Sequence, residues 1–241
     1  MAKLSVIIPA YNRHALTFRH VLECASASRK PDEIIVVNDG GPEDLRDMLK
    51  GLAVPIIYAR ITEDILWNYN GACNLGFWLS SGDVIALEDT DHIPGRELYK
   101  EALKIFEEDE KLERIAVTRD VVEQTELSKP LEQWTVSRHW GPNDMVSFMR
   151  RSLYARMKGQ DERFARHYGY MAYDWTWRLR KLGVPARKIH GYYAIVGDGG
   201  EPGLKRGLSP ENRRILHENA KRTDGQFEGG ILNFNYTVEW L

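Results

Sequence analysis

Short apolar runs alternate with segments of helical spacing through the first part of the sequence. Leu4 to Ile8 (LSVII) and Ile34 to Val37 (IIVV) are continuous and rich in β-branched residues, and His14 to Ser28 between them has apolar residues near helical spacing. Strands that are apolar on both faces are typical of a parallel sheet with helices on both sides. The start of the chain is therefore predicted to be a βαβ unit of an α/β protein.

The same alternation continues to about residue 196. Further strands are predicted at 54–59, 84–87, 115–118 and 145–149, a mixed extended segment at 186–196, and further helices at 67–80, 96–108 and 168–182. The last residues differ, because a glycine-rich stretch at 197–207 precedes a basic helix. Ser209 and Pro210 suit the N-cap and first turn of this helix, which is expected to reach about Arg222.

Three carboxylates follow the predicted strand at Val84 to Leu87 within four positions, namely Glu88, Asp89 and Asp91. Two such groups ~5 Å apart repel by roughly 3 kcal/mol at an effective dielectric of ~20, so the cluster should hold a proton or a cation. In an extended chain Asp89 and Asp91 share one side and Glu88 faces the other. Paired hard oxygens suit Mg²⁺ or Mn²⁺, although a solvated acidic turn before the next helix explains the cluster equally well.

Charge and composition exclude several classes of function. The 33 basic and 35 acidic side chains give a net charge of -2, so nothing in the overall balance favours nucleic acid as a partner. The apolar runs are far shorter than the ~20 residues that span a bilayer. Cys24 and Cys73 have neither zinc-site spacing nor a disulfide framework. We therefore expect a cytoplasmic protein with no membrane span.

Four stretches together resemble the GT-A nucleotide-sugar glycosyltransferases, specifically family 2, in order and spacing over about residues 3–198. They are KLSVIIPAYNR (3–13), DEIIVVNDGG (32–41), NGACNLGFWLSSGDVIALEDTDH (70–92) and GQDERFARHYGYMAYDWTWRLRKLG (159–183). The resemblance implies a mostly parallel, Rossmann-like central sheet flanked by helices. It also implies a single domain over residues 1–200, with a nucleotide-sugar-binding half (1–92), an acceptor half (93–200) and a C-terminal helical and extended appendage (201–241).

The resemblance assigns residues to the sugar-donor site. Asp89 and Asp91 match the family's Asp-x-Asp, which carries a Mn²⁺ or Mg²⁺ ion that binds the donor diphosphate. A third metal ligand often follows the base by some twenty residues, and Asp198 has suitable spacing, whereas His190 comes early. His92 is expected to be a satisfied neighbour of the acids.

The nucleotide contacts are implied in the same way. Pro9, Ala10 and Tyr11 match the turn beside the nucleotide. Asp39, in the run Asn-Asp-Gly-Gly, matches the acid that faces the uracil edge. Asn68 stands near the place where the family often has an arginine, and we expect it to contact the nucleotide.

The second acid that the resemblance assigns is Asp174, which matches the family's catalytic base, with Tyr173 in place of the preceding glutamate. The residues alone leave an alternative open, because Asp174 and Arg178 are spaced as an i,i+4 ion pair on one helical face. Trp140 and Tyr170 are expected to flank the acceptor site, although core packing explains most of the aromatic side chains equally well. The acids of DERF (161–164) are interpreted as structural.

The implied function is metal-dependent inverting transfer of a sugar from a UDP-sugar to an acceptor hydroxyl of a carbohydrate or another molecule. A sugar nucleotidyltransferase shares the α/β plan, but it would ordinarily carry a glycine-rich phosphate loop after the first strand, where this chain has PAYNRH. A non-catalytic carbohydrate-binding or nucleotide-binding protein is the third possibility, favoured by the missing glutamate. A basic tail, with Lys205, Arg206, Arg213, Arg214, Lys221 and Arg222, is either a phosphate contact or a solvated face.

Overall fold

The computed structural model describes residues 2–42, 44–197, 208–227 and 231–241, and it contains one ten-stranded sheet with helices on both faces. The strands are β1 (Leu4–Ala10), β2 (Glu33–Asn38), β3 (Ile56–Ile61), β4 (Val84–Leu87), β5 (His92–Pro94), β6 (Arg114–Glu123), β7 (Val136–Trp140), β8 (Ser147–Arg150), β9 (Arg187–Val196) and β10 (Tyr236–Trp240). The helices are α1 (His14–Ser26), α2 (Arg46–Leu49), α3 (Tyr69–Leu79), α4 (Leu98–Glu108), α5 (Arg151–Arg156), α6 (Met171–Lys181) and α7 (Pro210–Ala220).

The N-terminal strands form a parallel block in the order β3-β2-β1-β4. Every residue of β1, β2 and β4 is buried, as expected for strands covered by helices on both faces. Parallel strands end at the same edge of a sheet, so the loops after β1, β2 and β4 lie side by side. In open α/β sheets this edge is where ligands bind.

The rest of the sheet is mixed, which corrects the expectation of a mostly parallel sheet outside the N-terminal block. β8 lies antiparallel between β4 and β6, β9 is parallel to β6, and β5, β7 and β10 pair antiparallel to β9, β6 and β3. A continuous apolar run is compatible with both parallel and antiparallel pairing. The sequence therefore predicts the strand but not its orientation in the sheet. β5, β7 and β10 were not predicted, because they are too short or too exposed to give a strand pattern.

The apolar core lies in two layers, one on each face of the sheet. One layer joins the sheet to α1 and α4, and the other joins it to α3 and α6. β1 contributes alternately to both, with Val6 in the first layer and Ile7 in the second. The approach of α3 is very close: a Cβ added at Gly76 would lie 2.3 Å from Ile7 Cγ2. Because α3 connects the parallel strands β3 and β4, its N-terminus lies at the edge where these strands end.

The C-terminal segment is attached to the domain at two places. α7 begins as predicted, with the Ser209 side chain accepting a hydrogen bond from the Asn212 backbone and proline in the first turn. β10 pairs with β3 at the edge of the sheet, with Val238 opposite Ala59. Among the described residues, no helix has the length and apolar character needed to cross a bilayer.

Candidate functional site

The loops after β1 and β2 meet at the sheet edge. The backbone N–H of Asp39 donates to the carbonyl of Ala10 at 2.8 Å, which extends the pairing of the two strands into the loops. Pro9 and Ala10 are the last residues of β1, and the Tyr11 hydroxyl donates to Asp64 at 3.3 Å. The structure thus brings Pro9, Ala10, Tyr11 and Asp39 together at one edge of the sheet.

The turn from Asn38 to Gly41 has a defined internal structure. The Asn38 side chain accepts from the Gly41 N–H at 2.9 Å and donates to the Tyr58 hydroxyl at 3.0 Å. Gly40 has a φ of +75°, and a Cβ there would lie 2.3 Å from the Glu63 carbonyl oxygen. Asn38 therefore fixes the turn from inside, and Asp39 is left at the sheet edge.

Asp39 and Asn68 form a buried polar pair without full hydrogen bonding. Asp39 is 6% exposed and Asn68 is 1% exposed. Within the described residues, Asp39 Oδ1 and Asn68 Nδ2 have no hydrogen-bond partner. Burial raises the pKa of Asp39 to about 7, with the Asn68 amide partly offsetting the rise and Asp64 adding to it. A buried acceptor and a buried donor that lie side by side are suited to the edge of a nucleobase.

Asp91 is held by two positively polarised side chains. Its Oδ1 lies 2.7 Å from His92 Nδ1, and its Oδ2 accepts from Arg13 Nη1 at 3.3 Å. Burial alone would raise the pKa of Asp91, but the hydrogen bonds and charges of His92 and Arg13 outweigh it, so the pKa lies below its ordinary value. His92 Nε2 also lies 3.0 Å from Arg119 Nη1, so both ring nitrogens of His92 have a polar neighbour.

Asp89 differs from Asp91 in the partners of its oxygens. Its Oδ1 is buried without a hydrogen-bond partner in the part of the chain that the structure describes, and so is the neighbouring Tyr69 hydroxyl. Burial raises the pKa of Asp89; the charge of His92 offsets part of this rise and that of Asp91 adds to it. Asp89 therefore offers an unpaired carboxylate oxygen at the carboxyl end of β4.

Sequence reasoning missed the arginines around this pair of acids. Arg13 is the last residue of the first stretch (3–13), and Arg119 interrupts the apolar run of β6. Arg119 also donates to the Gly141 carbonyl at 2.7 Å, and its guanidinium lies 5.3 Å from the Trp140 ring centroid. A charge inside a strand pattern is a usable signal, but nothing local shows that Arg119 reaches His92 on another strand.

The acids suit a divalent ion. Asp89, Asp91 and His92 each offer one ligand atom, and these atoms lie within 4.8 Å of one another. Carboxylate oxygens with an imidazole nitrogen form a donor set that Mn²⁺ and Mg²⁺ accept. The unpaired Asp89 Oδ1 is the observation that favours a bound cation over a solvated acidic turn. Asp198, the predicted third ligand, lies outside the described residues.

Asp174 lies in a buried network on the first turn of α6. It is 2% exposed, its Oδ1 accepts from Asn219 Nδ2 at 2.8 Å, and its Oδ2 lies 3.6 Å from Arg178 Nη1. Burial raises the pKa of Asp174, while Arg178 and Asn219 offset part of the rise. The i,i+4 pair expected from spacing is thus present, and Asn219 of α7, which the sequence did not indicate, completes the network.

Neighbouring contacts anchor this network. Asn219 Nδ2 also donates to Asp161 Oδ2 at 2.9 Å, and Arg163 pairs with the same carboxylate at 2.7 Å. Arg178 donates to the Gly159 and Gly225 carbonyls, each at 2.9 Å. The contacts of Asp161 with Asn219 and Arg163 agree with a structural role for this acid.

The other candidate residues of the acceptor half fall into two groups. Trp134 and Trp175 are core residues, whereas Trp140 is half-buried and Tyr173 is 65% exposed. Tyr170 precedes α6 with a φ of +66°, and its ring lies 6.1 Å from that of Tyr173.

In the basic tail, Arg214 is paired with Glu211 and Glu218, and Arg222 lies 3.4 Å from Asp224. Lys205 and Arg206 lie outside the described residues.

The sequence matches the profile of glycosyl transferase family 2 over residues 5–174, more than half of the chain. The chain belongs to this family. The matched region includes the loops after β1, β2 and β4 and ends at Asp174. It therefore contains the acids described above, from Asp39 to Asp174. The predicted family and α/β fold class are thereby confirmed.

Two curated relatives are similar to this family 2 chain over part of its length. An uncharacterized glycosyltransferase of Rickettsia bellii (strain RML369-C) is 32% identical over 113 residues, which is 44% of this chain and 15% of that protein. Validoxylamine A glucosyltransferase of Streptomyces hygroscopicus subsp. limoneus is 30% identical over 106 residues, 42% of this chain and 23% of that protein. The alignments therefore span less than a quarter of either relative.

Two solved structures share the fold. Residues 1–349 of S. aureus TarS, in complex with UDP-GlcNAc, match with a TM-score of 0.64 at 14% identity, over 89% of this chain and 65% of that one. Mannosyltransferase PcManGT from Pyrobaculum calidifontis, in complex with GDP-Man and Mn²⁺, matches with a TM-score of 0.57 at 16% identity, over 91% and 69%. At these identities the likeness shows the GT-A fold alone.

Proposed function

We propose that this protein transfers a sugar from a UDP-sugar to an acceptor hydroxyl with inversion at the anomeric carbon. The single observation that supports this most is the pair Asp89 and Asp91, with an unpaired buried oxygen, at the carboxyl edge of the parallel strands. Two solved relatives of this fold hold nucleotide sugars, one with UDP-GlcNAc and one with GDP-Man and Mn²⁺. The family and the arrangement of acids support the same class of sugar donor here.

The nucleotide would lie along the ends of β1 and β2. Ionised Asp39 would accept a hydrogen bond from the uracil N3–H, and the unpaired Asn68 amide would donate to a neighbouring carbonyl. Pro9, Ala10 and Tyr11 would form the wall beside the base. These contacts orient the donor so that its diphosphate reaches the end of β4.

The diphosphate end of the site is acidic and needs a cation. Asp89 and Asp91 would hold Mn²⁺ or Mg²⁺, which when bound neutralises the charge that develops on the departing UDP. His92 and Arg13 each contact one oxygen of Asp91. Asp91 is thereby oriented before the donor binds, which lowers the entropy lost on binding.

The base in this proposal is Asp174, which would take the proton of the acceptor hydroxyl as its oxygen attacks the anomeric carbon. Burial raises its pKa, which favours proton acceptance. Both of its oxygens are covered in the structure, so the acceptor hydroxyl must take the place of the Asn219 amide at Oδ1. This requirement makes Asp174 the most demanding part of the proposal.

The enclosure of Asp174 also favours a second candidate function, a non-catalytic nucleotide-sugar-binding protein. If the oxygens of Asp174 keep their contacts with Asn219 and Arg178, this acid acts only as an anchor between α6 and α7. In that case the sugar-donor site would bind UDP-sugars without turning them over.

One experiment separates the two functions. The chain is incubated with Mn²⁺ and UDP-glucose, UDP-galactose or UDP-N-acetylglucosamine, and UDP release is measured beside the melting temperature. UDP release with any donor supports the transferase. A raised melting temperature without release supports the binding protein, and neither effect with any uridine nucleotide overturns both.

A further inference from the structure

Glu88 is a fully buried acid that the proposed chemistry does not use. It is 0% exposed and, as the alternation of the chain predicts, faces away from Asp89. Its Oε1 accepts from the Tyr192 hydroxyl at 2.6 Å, and its Oε2 accepts from the Tyr99 hydroxyl at 3.0 Å. A buried charge is costly even when it is paired, and an apolar residue would pack there at lower cost. An acid at this position therefore calls for an explanation.

His20 of α1 connects the Glu88 side chain to the backbone of the loop that follows β4 (residues 88–91). Its Nε2 lies 2.6 Å from Glu88 Oε2, and its Nδ1 lies 3.4 Å from the carbonyl oxygen of Thr90. Both oxygens are hydrogen-bond acceptors, and each ring nitrogen of His20 lies within hydrogen-bond distance of one of them. The ring is 0% exposed, so water does not compete for either contact.

The two contacts of His20 fall on either side of Asp89. One is to the side chain of the residue before it, and the other is to the backbone of the residue after it. A loop held at both neighbours has little freedom to rotate the side chain between them. The same backbone carbonyl precedes Asp91, so the direction of the second acid depends on this contact as well.

We propose that His20, anchored by Glu88, is a positioning residue that makes Asp89 and Asp91 converge on a shared cation. The inference rests on the proposed function, since it concerns the acids of that site. His20 does not touch the ion or the nucleotide, and it acts only through the 88–91 loop.

Two substitutions each remove one contact of the ring. In His20→Asn the amide can replace Nδ1 and keep Thr90 but lose Glu88, and in His20→Gln it can replace Nε2 and keep Glu88 but lose Thr90. Binding of Mn²⁺ in the presence of UDP is measured from the electron paramagnetic resonance signal of the free ion, beside the melting temperature. Loss of a residue that orients metal ligands commonly costs 10–100-fold in metal affinity, so both variants should bind Mn²⁺ at least about tenfold more weakly.

Tyr99→Phe is the matched control, because it removes a hydrogen bond to the same Glu88 oxygen and leaves both contacts of His20 in place. It should lower the melting temperature and change the Mn²⁺ dissociation constant by less than about threefold. Unchanged Mn²⁺ affinity in both His20 variants overturns the inference alone, and so does an equal loss in Tyr99→Phe. If the unaltered chain binds no Mn²⁺ with UDP, the proposed metal site fails, and this inference fails with it.

Discussion

The acids at the edge of the parallel strands and the acid of α6 are buried in opposite ways. Asp39 and Asp89 each keep a buried oxygen without a partner among the described residues. Asp174 has one oxygen bonded to Asn219 and the other beside Arg178. Buried polar groups are normally satisfied, and exceptions concentrate where a ligand completes them. The unpaired oxygens of Asp39 and Asp89 are therefore suited to receive a ligand, whereas both oxygens of Asp174 already have partners.

Asp174→Asn tests most strongly whether the enclosed acid of α6 takes part in the reaction. If Asp174 is the base, kcat should fall by about 10²–10⁴-fold while UDP binding is kept, since that is the usual contribution of general base catalysis. The melting temperature should also fall, because Arg178 loses its buried ionic partner. Steady-state transfer assays and thermal melts measure the two effects.

Asn219→Ala is the control for Asp174→Asn, because it removes the hydrogen bond and keeps the carboxylate. It should lower the melting temperature but retain most of the activity. A loss of activity no larger than that of Asn219→Ala would show that Asp174 is an anchor, and the binding-protein function would then be favoured.

Asp89→Asn should weaken metal binding without lowering the melting temperature, which is the opposite of the result expected for Asp174→Asn. The Mn²⁺ dissociation constant should rise by about 100-fold, because an amide oxygen replaces an anionic ligand of a hard cation. The melting temperature without metal should stay or rise, because a buried charge beside Asp91 is removed. Calorimetric titration with Mn²⁺ and UDP tests the first expectation.

Asp47→Asn makes the same chemical change on the exposed side of α2, where the Asp47 side chain is 92% exposed. It should leave metal affinity and stability unchanged. Destabilisation of Asp89→Asn comparable to that of Asp174→Asn would remove the contrast between the two regions.

Gly40→Ala tests how far the shape of the sugar-donor edge depends on the turn after β2. The substitution places a Cβ against the Glu63 carbonyl at a φ of +75°, and it should cost about 1–3 kcal/mol in the free energy of unfolding. Gly51→Ala has a similar φ of +81° with nothing within 4 Å, so it measures the backbone strain alone. Equal costs in urea unfolding would show that the contact with residue 63 is unimportant.

The smallest expected effect is a pH dependence of UDP binding. Burial raises the pKa of Asp39 to about 7, and only the ionised carboxylate accepts from the uracil N3–H. The ionised fraction rises from ~0.1 to ~0.9 between pH ~6 and ~8, so affinity should rise about tenfold over this range. Titration calorimetry in the two buffers measures it.

Without ligand, the free energy of unfolding should fall as pH rises, whereas UDP affinity should increase. The folded state holds this proton more tightly than the unfolded chain, so the contribution of Asp39 to stability is lost as pH rises from about 4 through about 7. Asp39→Asn should remove both dependences. A pH dependence of UDP binding that persists in this variant would assign it to another group.

The sequence by itself determined the parallel block and the positions of Asp39, Asp89 and Asp91 at its edge. These follow from short apolar runs and the residues directly after them, and such information is local in the chain. Even the opposite direction of Glu88 follows from the alternation of side chains along an extended segment.

Tertiary structure alone decided what surrounds these acids. Arg13 reaches Asp91 across 78 positions of sequence, Asn219 reaches Asp174 across 45, and Tyr192 reaches Glu88 across 104. The direction of β8 and the attachment of β10 were decided in the same way. Contacts of this kind depend on how distant elements pack, and no local pattern specifies which polar group will face a given carboxylate when the sheet is assembled.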